Sequence, residues 1–314
     1  EKLKAKAKEM GATTKYTASE AAEGLNILAM AGLSAEESVG SIEQVLSLAG
    51  AGAISLEASA SYLTGAVKGF NDEMSNSAKY ADLIAEGATL ANTSVSGLGE
   101  ALSGASAMAN AYNQSAESTT VALLRLAEQN VTGAEAATAM SRAMADLYTP
   151  TDKGAQALEK LGIATYDANG NARDFNDVVD ELNAALSTMS DEEKLAYEST
   201  IFTTFGMKAF QKMTVSTTEK VDHFKDSLAN ASGAAMQQFE TQTDNLDGKL
   251  AILNSALEAT GIAIYEIFGD ELKEAAEGAT EAIDALHDSI ENGALKESFE
   301  NLSESFGDFI KGAI

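Results

Sequence analysis

Histidine is the side chain that most readily moves protons or holds metals near neutral pH, and this chain has two, His223 and His287. Neither sits at a relay or metal-ligand spacing from a second donor, so both read as solvated surface residues. No His-Glu-x-x-His, Gly-x-Ser-x-Gly or phosphate-cradling Gly-Lys-Ser/Thr element occurs, and cysteine is absent. The usual routes to zinc hydrolysis, serine acyl transfer, phosphate binding and thiolate chemistry are therefore missing. Asp167-Ala168-Asn169-Gly170-Asn171 begins like a calcium loop. That loop needs glycine sixth and glutamate twelfth, whereas here glycine is fourth and Val178 is twelfth. Asp191, Glu192 and Glu193 resemble a carboxylate cluster but follow Ser190, where anions suit the first turn of a helix. The alternating Lys2, Lys4, Lys6 and Lys8 spread around a helix as a solvated turn. No catalytic, metal or cofactor site is expected.

The elements that would position such groups are short helices. Thr17 with Glu20 and Ser34 with Glu37 form capping boxes, in which a hydroxyl and a carboxylate take amides left unpaired at a helix start. Gly32 closes the first of these helices, and Leu25, Leu28 and Ala29, then Ile42, Val45, Leu46 and Ala49, supply one apolar stripe each. Thr132 with Glu135, Ser190 with Glu193 and Ser216 with Glu219 repeat the spacing. Gly65 and Gly69 have the spacing of close helix contact, and Lys68 between them argues for contact in water over lipid. Leu46-Ser47-Leu48-Ala49 is echoed by Leu124-Arg125-Leu126-Ala127, 78 positions later, and Ser34-Ala35-Glu36 by Ser115-Ala116-Glu117. A duplication and chance similarity among alanine-rich helices both remain open.

Composition agrees. The chain has 314 residues, 6% aromatics, no tryptophan and a single proline, Pro150. Alanine-rich, proline-poor sequence of this kind predicts an all-α fold packed through small side chains. One exception is expected: Asn169-Gly170 between two short extended runs predicts a small β-hairpin over about 163–175. The formal net charge of −27 disfavours nucleic acid and anionic lipid as binding partners. It suits plain solubility, or a surface that faces DNA without holding it. No apolar run has the length of a membrane-spanning helix.

Three regions follow: 1–148, a helical-hairpin subdomain with the weak repeat; 149–235, helices around the hairpin; and 236–314, heptad-patterned helices. In the last, Leu246, Leu250, Leu253, Leu257, Ile264 and Ile267 step by fours and threes. So do Leu272, Ile283, Leu286 and Ile290, then Leu295, Phe299, Leu302 and Phe306. Such a repeat marks helices that wrap around a partner. That partner is either the same chain or another copy of it, as a trimer or hexamer. The abrupt start at Glu1 and end at Ile314 suggest an excerpt of a longer polypeptide.

In order, Met10 to Ala22, Leu28 to Leu33, Leu147-Tyr148-Thr149-Pro150-Thr151, Leu158 to Ile163, Asp167 to Asn171 and Phe205-Gly206 resemble the core region of bacteriophage tail tape-measure proteins. The likeness covers roughly residues 3 to 270. It implies a structural role: setting tail length during assembly in the host cytoplasm, residence inside the virion tail, and departure with the DNA at ejection. The partners it implies are further copies of the chain, hub or baseplate and tube proteins, DNA in passage and, after ejection, the host membrane. Some relatives carry cell-wall hydrolase domains, and nothing in these residues matches one. The contrasting reading is a helical toxin that inserts into membranes. One continuous helix of this length would span roughly 470 Å. The capping boxes argue instead for a folded helical body, with the measuring rod elsewhere.

Overall fold

Helices α1 (Lys2–Thr13), α2 (Ala18–Met30), α3 (Ala35–Gly52), α4 (Leu56–Gly69), α5 (Ser77–Leu90), α6 (Val95–Ala111), α7 (Ala116–Ala127) and α8 (Gly133–Tyr148) follow one another through short links. After Pro150 come α9 (Asp152–Lys160), α10 (Phe175–Ser187), α11 (Asp191–Ile201), α12 (Thr204–Met213), α13 (Thr218–Ala229) and α14 (Ala234–Thr243). The computed structural model describes residues 1–245 and 247–262, and residues 247–262 form a further helix, α15. Residues Glu1–Ala256 pack as one unit, called the body below, and Leu257 opens a second. The fold is all-α, as composition predicts.

Two helices act as hubs. α3 is packed by α1, α2, α4, α5, α6 and α14, and α7 by α5, α6, α8, α10, α12 and α13. Every residue from Val45 to Ala51 and from Thr119 to Ala127 is buried. A helix surrounded this fully must satisfy its hydroxyls locally. Thr119 and Thr120 donate back to the Ser115 and Ala116 carbonyls at 2.7 Å, and Ser47 to Glu43 at 2.8 Å. The echoed tetrapeptides at 46–49 and 124–127 lie in the C-terminal halves of these two hubs.

Several links share one grammar. A residue in the left-handed region ends the helix, the next amide reaches back five residues, and a hydroxyl then caps the following helix. Gly32 (φ +84°) is followed by Leu33, whose amide reaches the Leu28 carbonyl, and then by Ser34. Ala53 (φ 49°) and Asn113 (φ 54°) do the same through Ile54 and Gln114, with Ser55 and Ser115 as caps, and Asn130 (φ 57°) shares the first two steps through Val131. Of the expected capping boxes, those at Thr17, Ser34 and Ser190 form. Thr132 precedes α8 but makes no side-chain cap, and Gly133 beside it takes φ +59°. At 216–219 the cap is Thr217, one residue later than expected, which accepts from the Lys220 amide.

The expected hairpin at 163–175 is reduced to one antiparallel bridge, Tyr166 with Ala172. Only Gly170 of the Asn-Gly pair has positive φ. The turn is therefore not the type that would align two strands. Asp167 instead folds the loop on itself, its Oδ1 accepting the Asn169 and Asn171 amides at 2.8 Å.

Candidate functional site

The residues singled out for chemistry are accounted for by structure. His223 lies on α13, 3.5 Å from the Ser227 hydroxyl, and His287 lies outside the described residues. Among the described residues no group of three or more His, Cys, Asp or Glu side chains could hold a metal. The Asp167 carboxylate is held below its usual range by the Asn171 backbone amide first, then the Asn171 side chain. That arrangement satisfies an anion in a turn and presents no cation site. Glu193 caps α11, and its hydrogen bond to the Ser190 side chain holds its carboxyl low as well. On α1, Lys6 pairs with Glu9 at 2.8 Å.

Gly65 and Gly69 let α4 lie against α6. A Cβ at Gly65 would come within 2.0 Å of the Ser103 hydroxyl, and one at Gly69 within 1.8 Å of the Ser106 hydroxyl. Beside this contact, α4, α6 and α8 border an open groove of about 740 Å³ lined with Ser103, Gly104, Ala137 and Ser141 among others. No single described helix is long and apolar enough to cross a membrane. The α3–α4 pair meets length and composition limits only across a 119° bend, and α3 is a buried hub.

Sequence reading missed the charged interior. Arg125 is fully buried on α7. Its Nε donates to the Met213 carbonyl at 3.1 Å, one terminal nitrogen to Asn176 Oδ1 at 3.4 Å, and the other to Asp180 at 2.5 Å. Asn176, also buried, donates in turn to the Ser118 carbonyl and hydroxyl. A guanidinium with a carboxylate and two neutral acceptors is how a buried cation is made tolerable. The surrounding contacts are ionic too: Lys220 pairs with Glu128, and Lys225 with Asp177. The only hint in the sequence was Arg125 standing alone in an apolar run.

The described part of the expected seam lies on α15. Leu250, Leu253 and Leu257 are 53%, 55% and 62% exposed, while Ser255 on the same helix is fully buried. An exposed leucine row on a helix whose inward residue is serine reverses the ordinary amphipathic order. Leu246, Ile264, Ile267, Leu272, Ile283, Leu286, Ile290, Leu295, Phe299, Leu302 and Phe306 lie outside the described residues.

Comparison with known proteins gives three matches. The family described as phage-related minor tail protein matches residues 4–203. The tape measure protein of Pneumococcus phage Dp-1 is 27% identical over 285 residues, covering 91% of this chain and 25% of that protein. The probable tape measure protein of Escherichia phage P2 is 25% identical over 315 residues, covering 99% and 38%. The chain thus spans a quarter to under two-fifths of the length of these relatives. No solved structure matches. None of these matches supports a membrane-inserting toxin.

Proposed function

The chain belongs to the phage-related minor tail protein family, and from that premise we propose that it is a folded portion of a tail tape-measure protein, acting by shape and assembly. The family is structural, and its place is the virion tail. The observation that carries the finer reading is that relatives named for tape measuring align over 91% and 99% of the chain. A rod that measures length must be extended, and the body of this chain is not. Measuring therefore falls to other parts of the longer protein, and this portion serves as a helical body toward one end of the tail. There it meets hub or baseplate and tube proteins, and its acidic surface lets DNA pass.

Copies associate through the leucine row that starts at Leu250, Leu253 and Leu257. The regions 1–148 and 149–235 are subassemblies within the body, joined around α7 by the Arg125 network. Sedimentation of the whole chain tests the seam. A trimer or hexamer that becomes a monomer on Leu250→Asp, Leu253→Asp and Leu257→Asp is expected, and a monomer before substitution overturns it. For the tail role, the same triple change in the phage should abolish intact tails. Normal tails from that phage would defeat the assembly reading.

A further inference from the structure

The link between α1 and α2 meets the last helices of the body. The Ser255 hydroxyl on α15 is buried and donates to the Lys15 carbonyl at 2.9 Å. Next to it the Tyr16 ring stacks on Phe239 of α14, centroids 6.1 Å apart. The Lys15 ammonium lies 5.2 and 5.5 Å from the two ring centres. Residues just after the first helix thus clasp residues near the far end of the unit.

α14 has ten residues, too few for a helix to persist alone in water. Its helicity depends on the bed beneath it, formed by α3 and α5. Phe239 lies over Gly50, where an added Cβ would fall 2.1 Å from the ring. Asp82 of α5 accepts the Gly233 and Ala235 amides at 2.8 and 3.0 Å, and Gln238 donates to the Ala85 carbonyl. Phe239 apart, the side chains that α14 buries are small: Ala234, Ala235 and Thr243. A segment with so little apolar burial opens at lower free energy than the hubs it covers.

We propose that α14 is a strap that opens first when the chain is pulled between the α1–α2 link and the helix that carries Ser255. Tension entering beside Lys15 and leaving beyond Ser255 acts across one point. The contacts are then loaded one after another, as in peeling, instead of all together. The clasp parts, α14 lifts from Gly50 and Asp82, and the chain lengthens while α3 and α7 stay folded. The inference rests on the geometry of the body alone, so its failure would leave the tail assignment standing.

Because the chain has no cysteine, Thr13→Cys and Gly261→Cys give two unique handles for optical-tweezers stretching of the full chain. Both sites are exposed, and a Cβ at Gly261 meets no neighbour. The first step should add about 95 Å of contour length, the span of residues 234–261, with the remainder yielding at higher force. Gly50→Ala, which displaces Phe239, should lower the first-step force by about half and leave later steps unchanged. Phe239→Ala does the same from the strap side and serves if Gly50→Ala does not fold. Rupture of the whole body in one event, a first step of another length, or a first step indifferent to Phe239→Ala would overturn the proposal.

Discussion

Arg125 shows how one side chain can hold two halves of a helical body together. It leaves α7 and ends among Met213, Asn176 and Asp180, which lie on α12 and α10. Removing the guanidinium would strand Asn176 Oδ1 in the interior, leave Asp180 without its ion pair and open a void. Arg125→Ala should therefore cost about 3–5 kcal/mol in urea unfolding, while Arg125→Met, which keeps the volume, should cost markedly less. Equal losses for the two would mean that the stranded polar partners, and not the lost packing, set the cost. The caps allow a finer comparison. Ser34→Ala removes a capping-box acceptor and should cost about 1 kcal/mol. Thr132→Ala should be close to neutral, because that hydroxyl caps nothing. Ala53 holds φ 49°, a region that strains a Cβ, so Ala53→Gly should raise stability by about 1 kcal/mol. A loss at Ala53→Gly would show that the methyl group packs usefully.

At the scale of elements, the closest contact is α4 on α6, and its two glycines differ in a way that can be measured. At Gly65 the obstacle is the Ser103 hydroxyl, with the Ser103 Cβ 3.2 Å away; at Gly69 the Ser106 Cβ itself is 2.5 Å away and the Ala107 nitrogen 3.1 Å. Each glycine-to-alanine change alone should cost about 1–3 kcal/mol through overpacking. Ser103→Ala should then rescue Gly65→Ala, whereas Ser106→Ala should not rescue Gly69→Ala. Rescue at both sites would show that α4 simply shifts. This contact was legible in the sequence because glycine spacing reports it directly, and so were the caps at Thr17, Ser34 and Ser190. The Asn-Gly hairpin was overread. Its turn is fixed by Asp167 and by tertiary bonds, Tyr166 to the Tyr148 carbonyl and Tyr148 to the Arg173 carbonyl, which no local pattern reveals. The long-range caps were invisible for the same reason. Asp146 accepts from the Thr203 amide and Asp82 from Gly233, partners 57 and 151 residues apart. The leucine row was visible as periodicity, yet periodicity alone could not say that Leu250 and Leu253 face outward.

Over the whole molecule, charge sets how stability responds to the solvent. With a net charge of −27 and a pI near 4.3, the folded chain repels itself at neutral pH, and acidification relieves that repulsion. A second effect opposes it. Asp72 is held below the usual carboxylate range by the Asn76 side chain, Glu181 by Arg173, and Glu37 by Ser34. A depressed folded value means that the unfolded chain binds these protons first. Their stabilisation is complete above the ordinary carboxylate range and is lost as pH falls through the lowered values. The melting temperature should therefore rise between pH 7 and about pH 5, then fall below about pH 4, where these carboxylates begin to protonate. Added salt at pH 7 should raise it by about 2–4 °C for each kcal/mol of repulsion screened, and less at pH 5. Thermal melts followed by circular dichroism across pH and salt separate the two effects. A melting temperature that falls steadily from pH 7 to 5, or is lowered by salt, would mean that ion pairs such as Lys220–Glu128 outweigh the repulsion of the acidic surface.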